Sequence, residues 1–284
     1  MKTLFVSSRP VSWINTAYPF AAAYFLATGG IDWIFVVGTV FFLIPYNLAM
    51  YGINDVFDYE SDLRNARKGG IEGAVLDRSH HRLILWAAAI STIPFVVVLA
   101  TQGDALANLV LLVSLFAVVA YSAPGLRFKE RPFLDSITSS THFVSPAVYG
   151  LVLAHAAFTP AIWAFLVAFF LWGMASHAFG AVQDIVPDRE GGLASIGTVL
   201  GARSTVAFAV LAYAGAGVLM LFTSVPLAAL LAVPYLINTV PYLRLNDANS
   251  AQANVAWKRF LWLNYLSGFL ATMALIWLAW SNGT

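Results

Sequence analysis

Two stretches of this sequence gather oxygen donors at helical spacing. The first reads Asn54-Asp55-Val56-Phe57-Asp58-Tyr59-Glu60-Ser61-Asp62. Asn54, Asp58 and Asp62 fall at i, i+4 and i+8, and Asp55 stands three residues before Asp58. A helix running through the stretch puts these side chains on one face. The second reads Gln183-Asp184-Ile185-Val186-Pro187-Asp188, a further carboxylate pair at i, i+4. A glycine pair follows each cluster, Gly69-Gly70 and Gly191-Gly192.

Like charges one helical turn apart destabilise a helix by tenths of a kcal/mol, and beside a bilayer their desolvation adds to that cost. A cation removes both penalties. All-oxygen donors with no His or Cys select a hard ion, Mg²⁺ or Ca²⁺. Mg²⁺ takes one or two carboxylates and leaves its other positions to water and phosphate oxygens. Two Mg²⁺ between facing clusters would hold a diphosphate and stabilise it as a leaving group. The candidate metal donors are Asn54, Asp55, Asp58, Asp62, Asp184 and Asp188, with Asp58, Asp62, Asp184 and Asp188 as the candidate catalytic acids. One cluster alone fits solvated acids after a helix end equally well. Two matching clusters among only fourteen Asp and Glu favour the metal reading. Arg64, Arg67 and Lys68 follow the first cluster, Arg127, Lys129 and Arg131 lie in another connection, and Arg9 precedes the first apolar run. Their forks and ammonium groups suit diphosphate oxygens, and each also suits a simple interfacial anchor.

The elements that position these groups follow from composition. The chain has 284 residues, 60% of them hydrophobic and 10% charged, with a mean hydropathy of +0.77. Soluble domains carry about 25% charged residues, so this is an integral membrane protein. Zero cysteines exclude disulfides, thiolate metal sites and cysteine nucleophiles. A net charge of +1 without any basic stripe gives no sign of nucleic-acid binding. Apolar stretches able to cross a ~30 Å hydrocarbon core are expected at 11–28, 33–53, 83–101, 105–122, 134–155, 159–182, 203–223, 226–243 and 259–280.

With nine spans, all fifteen Lys and Arg fall on the side of the N-terminus, and only Asp32 and Asp104 carry charge on the other. The positive-inside rule puts the N-terminus and the long loops in the cytoplasm. The expected architecture is therefore all-α, nine transmembrane helices around a central cavity, forming a single domain over residues 1–284 of the plasma membrane with its site facing the cytoplasm. An ion-coupled transporter is the alternative class, but its carboxylates belong near the midplane and these lie at the edge. Tyr51, Phe57, Tyr149 and Trp172 are candidate cation-stabilising aromatics. His142 and His177, inside spans, are expected to hydrogen-bond within the bundle. Gly150, Ala154, Gly173 and Ala175 either leave room for a long ligand or permit close helix packing.

Asn54-Asp55-x-x-Asp58-x-x-x-Asp62 and Asp184-x-x-x-Asp188-x-x-x-Gly192-x-x-Ser195 resemble the aspartate motifs of the UbiA superfamily of intramembrane prenyltransferases, and the likeness extends over nearly the whole chain. It implies Mg²⁺-dependent transfer of an isoprenyl group from its diphosphate to a lipophilic acceptor. It assigns Asn54, Asp55, Asp58 and Asp62 to a first metal–diphosphate site and Asp184 and Asp188 to a second. Tyr121-Ser122-Ala123-Pro124-Gly125-Leu126-Arg127-Phe128-Lys129 is similar to the family segment whose basic residue grips the diphosphate. Arg67, Lys68, Arg127, Lys129, Asn54 and Tyr149 are the candidate substrate contacts. Quinone-type members read Arg-Thr-x-x-Arg-Pro after the first motif, where this chain has Arg64-Asn65-Ala66-Arg67-Lys68-Gly69. That departure, with Ser8-Arg9-Pro10-Val11-Ser12-Trp13 and Phe143-Val144-Ser145-Pro146, resembles the lycopene elongases of C50 carotenoid synthesis. Quinone or archaeal-type lipid prenyl transfer is the alternative within the superfamily. The implied partners are an isoprenyl diphosphate, the acceptor and membrane lipid, with no obligate protein partner.

Overall fold

The computed structural model describes residues 2–63 and 76–283. Among them there is no strand, and seven helical segments are long and apolar enough to cross a membrane: Trp33–Phe57, Arg78–Gln102, Ala105–Ser122, Pro160–Val182, Ala202–Met220, Pro226–Arg244 and Asp247–Trp280. The other two expected spans are helical but differ in kind. Ile14–Thr28 has 15 residues, about 22 Å of helix. Leu134–Leu153 has 20 residues, and its first half holds Asp135, His142 and a run of Ser and Thr. The chain divides into two compact units, Met1–Phe128 with Thr141–Ala156, and Lys129–Ser140 with Ala157–Thr284.

The first unit contains α1 (Lys2–Ser7), α2 (Ile14–Thr28), α3 (Trp33–Leu43), α4 (Pro45–Phe57), α5 (Tyr59–Asp62), α6 (His81–Gln102) and α7 (Ala105–Ser122). It also takes residues 141–153 of α8 (Leu134–Leu153). One apolar stretch thus becomes two helices, α3 and α4, broken at Ile44. Pro45 has no N–H to donate and disrupts the preceding turn. The carbonyls this frees are met by side chains, as backbone inside a membrane requires. Thr16 Oγ1 donates to the Phe42 carbonyl at 2.6 Å, and Asn47 Nδ2 donates to those of Phe42 and Leu43 at 2.8 and 3.1 Å. The two acids expected on the far side of the membrane prove to be helix caps. Asp32 accepts the Phe35 N–H at 2.8 Å, and Asp104 accepts that of Ala107 at 2.8 Å, each satisfying a donor that the helix start leaves orphaned. The Phe35 N–H holds the Asp32 carboxyl below the usual carboxylate range.

Phe20, Phe41, Phe42, Tyr46 and Tyr149 form an aromatic core with no exposed surface. Gly150 lets α2 approach α8: a Cβ there would sit 2.8 Å from the Phe20 carbonyl oxygen and 3.2 Å from the Tyr24 nitrogen. Gly150 therefore serves close packing and leaves no space for a ligand. Gly150→Ala must push two backbones apart, and we expect it to cost about 1–3 kcal/mol, read as a lowered melting temperature of the purified protein. An unchanged melting temperature would show that the helices separate freely here.

The second unit contains residues 134–140 of α8, α9 (Pro160–Val182), α10 (Ile185–Glu190), α11 (Ile196–Leu200), α12 (Ala202–Met220), α13 (Ala232–Thr239) and α14 (Ala253–Gly283). Its core sets Ala175, Phe179 and Val182 of α9 with Ala202, Val206, Ala209 and Tyr213 of α12. Lipid tails are as apolar as these side chains, so small residues that bring backbones together carry the association. The Ser176 and Tyr213 hydroxyls bond across the pair at 3.0 Å. Gly173 packs in the same way, since a Cβ there would lie 3.1 Å from the Ser140 Cα. The expected span at 226–243 is only partly α-helical. Pro226 and Pro241 open the 3₁₀ turns Pro226–Leu231 and Val240–Arg244 on either side of α13.

Candidate active site

In the first unit, α4 carries the first acid cluster to its C-terminal end. Asp58 is its C-cap, with its N–H on the Asn54 carbonyl at 2.9 Å. Anionic side chains at a helix C-terminus oppose the macrodipole, and the helix stops there. The uninterrupted stripe expected from Asn54 to Asp62 is therefore not formed: Asp62 ends the separate turn α5. Its side chain, like Arg64, Arg67 and Lys68, lies outside the described residues.

Asn54 and Asp58 keep the one-turn relation. Asn54 Oδ1 accepts from Ser122 Oγ at 2.9 Å. Asp58 is 3% exposed, and Arg127 Nη2 lies 3.9 Å from its Oδ1. Arg127 reaches this position from a tight turn after α7, in which its N–H bonds the Ala123 carbonyl at 3.0 Å. Gly125 in that turn has φ 85° and Arg127 itself has φ 42°, a left-handed conformation that costs a non-glycine residue energy. Strain of this kind gathers at functional sites.

Asp55, expected beside Asn54 and Asp58 as a donor, is bonded to the N-terminal segment. It is 1% exposed. Arg9 Nη2 donates to its Oδ1 at 2.8 Å, and Ser7 Oγ donates to its Oδ2 at 3.1 Å. The Arg9 guanidinium also lies 4.3 Å from the centre of the Tyr51 ring. Both oxygens of Asp55 are thus engaged, one of them by a cation, and the residue ties the N-terminal segment to α4. Tyr149 lies apart from the acids: it is fully buried, stacked on Phe20, and its hydroxyl donates to the Leu99 carbonyl near the opposite end of α6. The Tyr46 hydroxyl and His142 Nδ1 are 3.4 Å apart, the within-bundle bond expected for this histidine.

In the second unit, the second acid pair spans the start of a new helix. α9 ends at Val182, Asp184 is the N-cap of α10, and the Asp188 N–H bonds the Asp184 carbonyl at 2.8 Å. Both acids are half-buried. Gln183, just before them, is fixed by its amide on the Gly180 carbonyl at 3.0 Å and by Asn254 Nδ2 on its Oε1 at 2.5 Å. Gly192 takes φ 70°, which lets the Leu193 N–H return to the Asp188 carbonyl at 2.8 Å, a helix-ending turn that suits glycine. His177 Nδ1 lies 3.1 Å from Ser136 Oγ. Trp172 stacks on Phe169 and Phe260 in the core. Lys129 belongs to this unit, half-buried in the turn Phe128–Glu130.

Sequence reasoning missed the buried Asp135. Its Oδ2 accepts the Ile196 N–H at 2.6 Å and so holds the segment after the acid pair. An ionisable residue at the start of an apolar helix was its signal. Among the described residues, no three Asp, Glu or His side chains converge on a preformed metal cage. The donors in place, an amide oxygen and carboxylates, suit a hard divalent cation completed by water and phosphate.

A sequence profile of the UbiA prenyltransferase family matches residues 16–264. A protein of Dietzia sp. named C(50) beta-cyclic carotenoids biosynthesis protein LbtBC is 58% identical over 99% of this chain, which spans 66% of that protein's length. The Lycopene elongase/hydratase of Corynebacterium glutamicum is 54% identical over 97% of both chains. The structure of a UbiA homolog from Archaeoglobus fulgidus bound to DMAPP and Mg2+ superposes with a TM-score of 0.66 at 17% identity, over 93% of this chain and 98% of that one. Apolar helices of membrane-spanning length, two aspartate motifs each carried on a helix end, and this likeness along the whole chain make the protein a multi-pass membrane enzyme, an intramembrane prenyltransferase of the UbiA family.

Proposed function

We propose that this enzyme transfers a dimethylallyl group from its diphosphate to the ends of lycopene in C50 carotenoid biosynthesis, with Mg²⁺ as cofactor. The observation that carries this reading is the 54% identity, over 97% of both chains, to a lycopene elongase/hydratase. In this reading Asn54, Asp58 and Asp62 belong to a first metal–diphosphate site, and Asp184 and Asp188 to a second. When bound, Mg²⁺ supplies stabilisation of the charge that develops on the departing diphosphate. Arg127 and Lys129, with Arg67 and Lys68, grip the diphosphate oxygens. Asp55 is the fourth candidate donor of the first site, and its bond to Arg9 also ties the N-terminal segment to α4.

The reaction breaks the allylic C–O bond, and its electron pair leaves with the diphosphate. The acceptor double bond then adds to the allylic cation, and the resulting tertiary cation loses a proton or captures water. Neither ending demands a strong base from the protein, which fits the scarcity of ionisable groups in the spans. The proposal includes a single nine-span prenyltransferase domain in the plasma membrane, with its N-terminus and active loops cytoplasmic.

Two experiments test this reading. A lycopene-producing host expressing the chain should accumulate elongated carotenoids, and unchanged lycopene would contradict the assignment. Reporters fused at residue 130 and at residue 284 should read cytoplasmic and extracytoplasmic respectively. Matching sides would contradict the nine-span arrangement.

A further inference from the structure

The segment that follows the second acid pair is held by a charge pair that the proposed chemistry does not use. Arg189 sits between Asp188 and Glu190, yet its guanidinium is turned onto other elements. Nη1 reaches Asp247 Oδ2 at 2.5 Å, while Nε and Nη2 both donate to the Thr198 carbonyl, at 3.1 and 2.6 Å. The other oxygen of Asp247 accepts the N–H of Ala202, the first residue of α12, at 2.7 Å. One carboxylate thus joins α10, the start of α12 and the 3₁₀ turn Asp247–Gln252.

We propose that Asp247 is a positioning residue that keeps the Arg189 guanidinium off Asp184 and Asp188, so that the enzyme's own arginine does not neutralise its second metal-binding pair. The inference rests on the reading in which Asp184 and Asp188 hold Mg²⁺. Arginine stays charged at any working pH, and its planar fork matches a carboxylate in two places. Without Asp247, the carboxylates nearest to this fork along the chain are Asp188, Glu190 and Asp184. A guanidinium paired there occupies oxygens a divalent cation needs and cancels the charge that attracts it. Arg189 is tethered one residue away and would compete at every metal concentration. The side chains of Arg189 and Asp247 are 44% and 41% exposed, which limits the effect to about fivefold in metal affinity, the scale of an exposed ion pair.

The test is equilibrium binding of Mn²⁺ to the purified full chain in the presence of inorganic pyrophosphate, followed by electron paramagnetic resonance, with no turnover involved. Asp247→Asn keeps the shape and an oxygen for Ala202, and should weaken Mn²⁺ binding by about fivefold. Arg189→Gln should bind at least as tightly as wild type, and the double variant should return to within about twofold of wild type. Should Asp247→Asn not fold, Asp247→Ser, which removes the charge and keeps a hydroxyl oxygen for Ala202, should show the same weakening. The proposal is overturned if Asp247→Asn or Asp247→Ser binds like wild type, or if the double variant is as weak as Asp247→Asn, which would mark a purely structural role. Weaker binding by Arg189→Gln alone would also overturn it, by making Arg189 a diphosphate contact. Failure of the underlying reading looks different: wild type would not bind Mn²⁺, or Asp184→Asn would bind it equally well.

Discussion

Asp58→Asn and Asp184→Asn are each expected to lower turnover by roughly a hundredfold or more, since even partners one shell outside a metal site are worth 10–100-fold. Each change removes one formal charge and leaves the shape nearly intact. Asp58 is the C-cap of α4 through its backbone, so the amide variant keeps that helix end, and Asp184 makes no side-chain cap to α10. Both variants should therefore fold, Asp58→Asn with some loss of stability because it weakens the Arg127 contact, and excess Mg²⁺ should restore part of the activity. Near-normal turnover in both would show that these acids have a structural role at helix ends and hold no metal.

Arg9→Ala is expected to produce the largest loss of stability. It removes the guanidinium 2.8 Å from a carboxylate whose side chain has no exposed surface. Breaking a buried pair from one side costs about 3–5 kcal/mol. Arg9→Ala/Asp55→Asn should recover much of that loss, because the second change removes the charge left behind. A thermal-unfolding double-mutant cycle measures the coupling. Additive single effects would show that Arg9 and Asp55 do not act as a pair.

The contrast between Asp55 and its neighbours shows how far the sequence could be read. Spacing along one helix made Asn54 and Asp58 legible as a pair, and the structure keeps them one turn apart. The partner of Asp55 lies 46 residues away in a segment with no periodic pattern, so no local rule pointed to it. Asp62 was placed on the same stripe because periodicity alone carries no information about where a helix stops. The accumulation of acids against the macrodipole was the available signal. The break at Ile44 was legible in Pro45, but the carbonyl acceptors it frees are met by Thr16 from another helix, which only the fold reveals. Arg189 reads in the sequence only as one of the fifteen basic residues on the positive side. Its pairing with Asp247 across 58 residues depends on tertiary structure. Small residues fit two readings, and at Gly150 and Gly173 the atoms crowding a Cβ decide for close packing.

The most direct test of the central claim supplies the purified enzyme with dimethylallyl diphosphate and Mg²⁺ and offers either lycopene or a hydroxylated aromatic acid, with products read by mass spectrometry. The account predicts lycopene carrying one and then two added five-carbon units, diphosphate released in step, no reaction when the metal is chelated, and no product from the aromatic acid. Prenylation of the aromatic acid with lycopene left unchanged would contradict it.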